Sequence, residues 1–458
     1  MFSLLRLLPL VFLSSWAFAA PLRTQGPYFV DSEGRVVLLR GLNVAGHAKV
    51  PPFVSIQEPS ELDPLRDWGM NVMRLLFTWE AYEPKPGEYR EDYLEHIRQT
   101  LQWAEERGIY AIVDFHQDAY SRYVLGGCGE GFPIWTIAPG IPMAYPRNDE
   151  GCKAWGLRAG LSPGMHKAFS EFYRDWNGVK TRFMLMAERV ARSLHGTPNL
   201  IGYDLMNEPW GKGHELKAFH EEASAAVRRG DPESIIFISP QAEASSGLVD
   251  VNFDRPALEN FAYSPHFYDP ALFLAKRYVP WVAHQAFARM EQRAQAWGVP
   301  MILGEFGGTP QIHDIEGYTD LLYAHLDEAY NSGAQWDYTT KWDPEAKDGW
   351  NREDFSVTDD QQQLRSNFIP RPYPQVLAGL PESFRVAPRA KAGELWLKLI
   401  FSSEPEKGAT ELYIPGNVPY TFRTSEGLTC EPRALGMSCE ASSKGLKTLE
   451  LWRDGRNP

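Results

Sequence analysis

The sequence predicts an α/β protein: a (β/α)8 TIM barrel followed by a small C-terminal antiparallel β-sandwich. Three observations support this prediction. Short apolar runs alternate with amphipathic stretches, a polar residue lies at or near the end of each run, and the periodicity changes after residues 371–374. The chain has 458 residues, 43% of them hydrophobic, which suits one large domain and one smaller one.

The apolar runs have the short length of buried parallel strands, and helix-like segments separate many of them. We expect barrel strands at 36–43, 72–77, 110–115, 201–206, 235–239, 261–266, 301–304 and 334–338. We expect helices at 93–107, 178–195, 215–229, 283–297 and 318–332. Strands that alternate with helices favour a barrel, to which we assign residues 21–380.

Polar residues mark the C-terminal ends of the predicted strands, where the mouth of a barrel lies and where its active site is built. They are Asn43, Thr78, His116, Asn207, Gln241, His266, Glu305 and Lys341. Two long connections, at 119–170 and 343–367, are expected to overhang this mouth and to shape its pocket.

The C-terminal part has a different pattern. Residues 394–401 alternate polar and apolar side chains at their start, and 410–414 and 448–452 are similar short runs. Turn residues separate these runs, as is typical of antiparallel strands. We therefore assign residues 381–458 to the β-sandwich.

The N-terminus predicts export. Arg6 precedes the apolar run 7–12, and Ala-Phe-Ala at 17–19 supplies the small residues of a cleavage site, so we assign residues 1–20 to a signal peptide. A retained membrane anchor is the alternative, although the run is short for a bilayer span. We expect a periplasmic or secreted protein, and the sequence carries no prediction of its oligomeric state.

The four cysteines fit an oxidising compartment, and local pairing predicts the disulfides Cys128–Cys152 and Cys430–Cys439. A zinc site is the competing hypothesis, but neither CxxC nor HExxH spacing is present, so we expect no metal and no cofactor. The net charge of -13 argues against a nucleic-acid partner, because phosphate binding needs a basic surface.

Two glutamates carry the predicted chemistry. Glu208 lies in Asp-Leu-Met-Asn-Glu-Pro at 204–209, and Glu305 lies in Leu-Gly-Glu-Phe-Gly at 303–307, each after a short apolar run. Ion pairing would explain either one alone. Two carboxyl groups at strand ends, one protonated and one ionised, are what hydrolysis of a glycosidic bond requires. The sequence therefore predicts a glycoside hydrolase.

Asn-Glu-Pro after the fourth strand and Gly-Glu-Phe-Gly after the seventh resemble glycoside hydrolase family 5, a family of retaining barrel enzymes. This resemblance implies that Glu208 is the acid/base and Glu305 the nucleophile. A covalent mechanism implies carboxyl groups roughly 5 Å apart and retention of the anomeric configuration.

Within that family the chain resembles the endoglycoceramidase group over about residues 36–382. Asp-Phe-His-Gln-Asp at 114–118 matches the Asp-x-His-Gln-Asp signature of that group, and the segments 41–49, 203–209, 265–268, 302–307, 372–374 and 378–379 also match. The resemblance implies a retaining β-glycosidase that hydrolyses the glycan–lipid bond of glycosphingolipids. Residues 349–354 are more similar to fungal relatives that remove glucose from ceramide or sterol. Release of an intact glycan or of one glucose, and a ceramide or sterol aglycone, therefore both stay open.

The same resemblance implies eight substrate-binding residues, namely Lys49, Arg74, Asp114, His116, Asp118, Asn207, His266 and Tyr268, and Trp336 is a ninth candidate in a segment, 336–342, that departs from the pattern of the bacterial members. Arg74 is expected to keep Glu305 ionised, with a hydrogen bond from Tyr268. Asn207 is expected to bind the sugar 2-hydroxyl. The two histidines are expected to line the subsite of the cleaved sugar, and Lys49, Asp114 and Asp118 to hold its other hydroxyls. Trp336 is the expected stacking platform, with Trp342 as the alternative.

A lipid leaving group requires apolar surface at the mouth. The stretches 132–135, 270–273 and 278–281 are candidates for it and for transient contact with a membrane surface, although packing within the loops explains them equally well. Two other hypotheses remain: a family 5 endo-glycanase that acts on β-glucan or mannan, and a non-catalytic carbohydrate-binding protein.

Overall fold

The computed structural model describes residues 22–416 and 418–454. The predicted signal peptide at 1–20 lies outside the described residues. Among the helices of the described part, none combines the length and the apolarity needed to cross a bilayer.

Eight parallel strands form the barrel, and in chain order they are Arg40–Val44, Val72–Thr78, Tyr110–His116, Leu200–Asp204, Ile235–Ile238, Phe261–Tyr263, Ile302–Leu303 and Ser332–Tyr338. The eighth strand pairs with both the seventh and the first. A single parallel bridge between Tyr263 and Met301 joins the sixth strand to the seventh. The predicted TIM barrel is confirmed.

The main helices of the barrel are Asp63–Asp67, Glu91–Glu105, Val179–Leu194, Gly213–Gly230, Pro280–Trp297 and Ile315–Glu328. Each of the long ones buries a stripe of residues spaced three or four apart; in Val179–Leu194 the stripe includes Phe183, Met186 and Val190. Shorter helices at Trp79–Tyr82, Trp155–Gly160, Pro163–Tyr173 and Pro270–Ala275 lie in the loops of the mouth. All five predicted helices are present.

The first predicted strand is divided in two. Arg40–Val44 enters the barrel, whereas Val36–Val37 pairs antiparallel with Tyr373–Leu377. Between them, side chains satisfy part of the backbone: Asn71 Nδ2 donates to the Leu38 carbonyl at 2.9 Å and Ser332 Oγ accepts from the Leu39 amide at 3.0 Å. The continuous apolar run at 36–43 therefore serves two different sheets.

The C-terminal part contains two antiparallel sheets. One contains Arg23–Gln25, Tyr28–Val30, Val36–Val37, Tyr373–Leu377, Thr410–Tyr413, Gly436–Ala441 and Leu428–Arg433, and the other contains Gly379–Val386, Leu395–Ser403, Gly445–Arg453 and Tyr420–Thr424. Trp396 and Leu399 from one sheet share a core with Leu412 and Met437 from the other, as in a sandwich. The first of these sheets also contains strands that precede the barrel in the chain, and the strand Tyr373–Leu377, so it includes residues on both sides of the predicted boundary at 380. The boundary itself stays a prediction.

The sandwich contacts the end of the barrel opposite the mouth. Tyr373 and Tyr413 donate hydrogen bonds to the carbonyls of Gly69 and Asp67, at 2.6 and 2.7 Å, in the loop that leads into the second strand. Gly69 has a φ of +79°, and a Cβ there would lie 2.3 Å from the Tyr413 ring, so only glycine fits this contact. The sandwich thus braces the base of the barrel.

Both predicted disulfides are confirmed, Cys128–Cys152 and Cys430–Cys439. The first closes part of the long loop after the third barrel strand. The second joins two adjacent strands of the sandwich, where the two residues are direct partners. Two such bonds are typical of proteins that fold in an oxidising compartment.

Candidate active site

The two predicted glutamates meet at the mouth of the barrel. Nδ1 of His266 lies 3.0 Å from Oε1 of Glu208 and 3.7 Å from Oε2 of Glu305. One carboxylate oxygen from each glutamate and a ring nitrogen of His266 all lie within 4.8 Å of one another. An inverting enzyme places a water between one carboxyl group and the sugar, and its two carboxyl groups are therefore roughly 6.5–9.5 Å apart. The shorter separation seen here leaves no room for that water.

Gln117 fixes the backbone that carries Glu208. Its Nε2 donates to the carbonyls of Asn207 and Glu208 at 2.6 and 3.1 Å, while its Oε1 accepts from the Tyr120 amide at 2.9 Å. Glu208 has a φ of +37°, a left-handed backbone that is costly for a residue with a side chain. The amide of Gln117 therefore holds a strained peptide that directs the Glu208 carboxyl towards His266.

Arg74 joins the nucleophile candidate to the strands beneath it. The guanidinium is 1% exposed, and its nitrogens lie 2.7 Å from Glu305 Oε1 and 3.0 Å from the nearest oxygens of Asp114 and Asp204. Burial opposes its charge, but these three carboxylates raise the pKa of Arg74 above its ordinary value. Tyr268 donates to the other oxygen of Glu305 at 3.0 Å, so both oxygens of this carboxylate are held.

The two glutamates have different electrostatic surroundings. Burial raises the pKa of Glu208, the charge of Glu305 raises it further, and the hydrogen bond from His266 opposes both. Glu305 instead shares an ion pair with Arg74. Glu208 therefore favours its protonated form, while Glu305 is paired with a cation. Glycosidic cleavage by an acid and a second, ionised carboxylate requires this difference.

A second group of polar side chains surrounds Lys49 on the other side of the pocket. Its Nζ lies 2.5 Å from Asp118 Oδ2 and sits 4.4 and 4.2 Å from the ring centres of Trp336 and Trp350. His116 stacks on Trp336 with ring centres 5.6 Å apart. Burial lowers the pKa of His116, but the nearby carboxylates outweigh it and raise this pKa to about 10.

The structure brings all nine predicted binding residues together with the catalytic pair, but Asp114 is placed differently from its expected role. Asp114 is fully buried, and its oxygens face Arg74 and His116, the latter at 2.5 Å, so it orients these two side chains rather than facing the pocket. Asn207 also accepts from Arg74, at 2.9 Å. Trp342, the alternative platform, donates to Asp354, whereas Trp336 lies against Lys49.

Six further residues of the site were not among the predicted binding residues, namely Gln117, Glu130, Trp155, Asp204, Trp350 and Glu353. Glu130 pairs with Asp118 through the backbone, and burial raises the pKa of its carboxyl to about 8. Burial raises the pKa of Asp204 to about 6, with Arg74 opposing. Burial likewise raises the pKa of Glu353 to about 7, with Lys49 opposing. The matched segments 203–209 and 349–354 contain Asp204 and Glu353, whereas Glu130 lies in a loop without a motif.

Among the described residues, two groups of side chains have the spacing of metal ligands: His116, Asp118 and Glu130, and the trio Glu208, His266 and Glu305. Each group already contains a carboxylate paired with a buried cation, Lys49 or Arg74. A divalent cation would be repelled by that charge. The expectation of no metal therefore stays a prediction with a physical basis.

Apolar surface begins next to the catalytic pair. The Phe273 ring lies 6.4 Å from that of Tyr268, which bonds Glu305, and Phe273 is 60% exposed. Leu274, in the same short helix, is 80% exposed, and Trp281, in the first turn of the helix Pro280–Trp297, is 64% exposed. The other apolar candidate, 132–135, is mixed, because Phe132 packs in the core while Ile134 is exposed.

Comparisons with known proteins agree with this geometry. A family model described as cellulase (glycosyl hydrolase family 5) matches residues 30–342. The chain is similar to the glucosylceramidase of Cryptococcus neoformans var. grubii, with 40% identity over 262 residues that cover 44% of this chain and 35% of that protein. It is also similar to endoglycoceramidase I of Rhodococcus hoagii, with 28% identity over 208 residues that cover 43% of this chain and 39% of that protein. The chain thus spans 35% and 39% of the length of these curated relatives.

Among solved structures, endo-glycoceramidase II from Rhodococcus sp., determined as a lactosyl-enzyme intermediate, has the same architecture. Its TM-score is 0.75 at 25% sequence identity, and the match covers 93% of this chain and 100% of that one. The likeness therefore includes both the barrel and the C-terminal sheets.

Proposed function

Because this chain belongs to glycosyl hydrolase family 5, we propose that it is a retaining β-glycosidase that hydrolyses the glycan–lipid bond of glycosphingolipids by double displacement. The observation that carries the proposal is the approach of Glu208 and Glu305 oxygens to within 4.8 Å at the mouth. Retaining enzymes hold their carboxyl groups about 5–5.5 Å apart.

In the first step Glu305 attacks the anomeric carbon while Glu208 donates its proton to the glycosidic oxygen. Arg74 and Tyr268 hold one oxygen of Glu305 each, which aligns the carboxylate for attack. The C–O bond to the lipid breaks, the lipid alcohol leaves with the proton, and a glycosyl-enzyme ester forms. Capture of the Rhodococcus sp. enzyme as a lactosyl-enzyme intermediate supports such an ester in a protein of the same fold.

In the second step water replaces the lipid alcohol. Glu208, now ionised, takes a proton from this water, whose oxygen attacks the anomeric carbon and releases Glu305. The raised pKa of Glu208 favours its proton before the first step, and the loss of negative charge on Glu305 in the ester makes Glu208 a stronger acid before the second. The net configuration at the anomeric carbon is retained.

The lipid character of the leaving group rests on the apolar loop beside Tyr268. Phe273 and Leu274 are exposed there, followed by the basic residues Lys276 and Arg277 and by the exposed Trp281 in the first turn of the next helix. Exposed aromatic and aliphatic side chains with adjacent basic residues suit the surface of an anionic membrane. The proposal therefore includes a substrate that lies in a membrane and a protein that is exported. The two disulfides support export.

The test is a product analysis. The purified protein is incubated with glycosphingolipids, steryl glucosides and soluble β-glucans and mannans, and the products are identified by mass spectrometry. We expect ceramide and free sugar from the first class. If only steryl glucosides are hydrolysed, the lipid part of the substrate is a sterol and not ceramide. If only glucans or mannans are hydrolysed, the proposal is overturned. Glu208→Gln and Glu305→Gln serve as inactive controls.

A further inference from the structure

The two ends of the catalytic pocket differ in their access to solvent. On the side of the proposed acid, the Glu208 side chain is 17% exposed. On the opposite side, Lys49, Trp336 and Trp350 are 3%, 4% and 2% exposed. Because the leaving group departs past the acid, the closed side faces the sugar.

Two loops form a wall behind Lys49. The long loop after the third barrel strand contributes Asn148, which donates from Nδ2 to the Gly349 carbonyl at 2.7 Å and accepts from the Asn351 amide. Asn351 in turn donates to the carbonyl of Cys128 at 2.8 Å. The disulfide Cys128–Cys152 joins two parts of the first loop, and the hydrogen bond to the Cys128 carbonyl connects it to the loop that follows the eighth strand.

Aromatic and charged side chains fill the inner face of this wall. The indole of Trp155 packs edge-on against Trp350 with ring centres 5.1 Å apart and donates to Glu353 at 2.9 Å. Glu353 lies 3.8 Å from Lys49 Nζ on its other oxygen. The ammonium group is therefore enclosed by two indoles and two carboxylates, and it is not positioned along an open groove.

We propose that this wall ends the pocket after one sugar, so that the protein removes a single β-linked hexose from a lipid and excludes glycans that extend beyond it. The inference rests on the proposed function and specifies its substrate class as monoglycosyl lipids. Lys49, Asp118 and Glu353 supply donors and acceptors for the hydroxyls at the far edge of one ring. A second sugar attached there would overlap the packed side chains of Trp155 and Trp350.

The first experiment compares lipids that differ only in glycan length. Glucosylceramide, galactosylceramide and lactosylceramide are presented in the same detergent micelles, and released sugars are quantified by chromatography. We expect a preference of about a hundredfold or more for a monohexosyl lipid, because steric exclusion discriminates strongly. Release of lactose at a comparable rate overturns the inference and leaves the proposed function intact. Hydrolysis of none of these lipids overturns both.

The second experiment opens the wall. Asn148 is exposed, so Asn148→Ala removes two contacts between the loops without disturbing the core. We expect the ratio of activity on a soluble aryl β-lactoside to that on the aryl β-glucoside to rise about tenfold, because the two loops separate more readily without these hydrogen bonds. The matched control is Asn252→Ala, an exposed asparagine that bonds the Gly211 carbonyl elsewhere at the mouth. An unchanged ratio in Asn148→Ala, or an equal rise in the control, overturns the inference.

Discussion

Gln117 is hydrogen-bonded to the carbonyl of Glu208 at 3.1 Å, and Glu208 adopts a left-handed backbone with a φ of +37°. The same amide nitrogen also bonds the carbonyl of Asn207. The proposed proton donor is thus positioned by a side chain from the loop that follows the third barrel strand. In the proposed mechanism this side chain does not contact the substrate.

Gln117→Glu replaces the donating amide with a carboxylate that repels both carbonyls. With two hydrogen bonds of about 1 kcal/mol lost, we expect kcat on a natural glycolipid to fall about tenfold to a hundredfold while KM changes little. An aryl glycoside with a highly acidic leaving group needs no protonation, so its hydrolysis should be largely spared. Gln241→Glu is the matched control, since Gln241 also bonds the backbone at a strand end. Equal losses on both substrates in Gln117→Glu would contradict a role in positioning the acid.

His266→Phe should move the alkaline limb of the kcat/KM profile to higher pH. The hydrogen bond from His266 stabilises the ionised form of Glu208 and lowers its pKa. Without this bond the protonated acid persists to higher pH, so activity is lost later as pH rises. The measurement is a pH–rate profile on a soluble glycoside. A limb that stays in place, or moves to lower pH, contradicts the coupling between these two residues.

Arg74→Met should destabilise the fold by about 3–5 kcal/mol, because it leaves buried carboxylates without their cation. Asp114, Asp204 and Glu305 all lie within 3.0 Å of the guanidinium. Urea unfolding of the two proteins measures the difference. Arg174→Met, in an exposed pair with Glu171, is the control and should change stability by less than about 1 kcal/mol. Similar losses of stability in the two variants would contradict the prediction that Arg74 stabilises the buried carboxylates.

Azide should distinguish the two glutamates. In Glu208→Ala, azide attacks the glycosyl-enzyme in place of water and should yield the β-glycosyl azide from an activated β-glycoside. In Glu305→Gly, azide takes the place of the missing nucleophile and should yield the α-anomer. Proton NMR of the products identifies each configuration. The same anomer from both variants would exclude the assigned roles.

Trp281→Ser should reduce hydrolysis of a glycolipid embedded in anionic vesicles by about tenfold, because partial burial of one large apolar side chain contributes about 1.5 kcal/mol to membrane binding. Activity on a soluble aryl glycoside should be unchanged. Leu185→Ser is the control, since Leu185 is 52% exposed on a helix of the barrel wall. A loss on both substrates, or an equal loss in the control, would argue against membrane contact through the surface around Trp281.

The positions of Glu208 and Glu305 were accessible from sequence because each follows a short apolar strand within a distinctive motif. The network around Arg74 was only partly accessible, since its partners come from several strands that meet when the barrel closes. Asp114 illustrates the limit: its motif indicates a functional residue, but only packing determines that it lies beneath His116 and not in the pocket. The division of 36–43 between two sheets likewise depends on side chains from distant segments, Asn71 and Ser332.

The hydrogen bonds of Tyr373 and Tyr413 hold the sandwich at the base of the barrel, so the sandwich and the mouth lie at opposite ends of the molecule. An affinity handle or fluorophore fused through the sandwich points away from incoming substrate. Tethering by that end therefore leaves the mouth facing the bulk solution, which makes it the suitable point of attachment for single-molecule or surface-based kinetics.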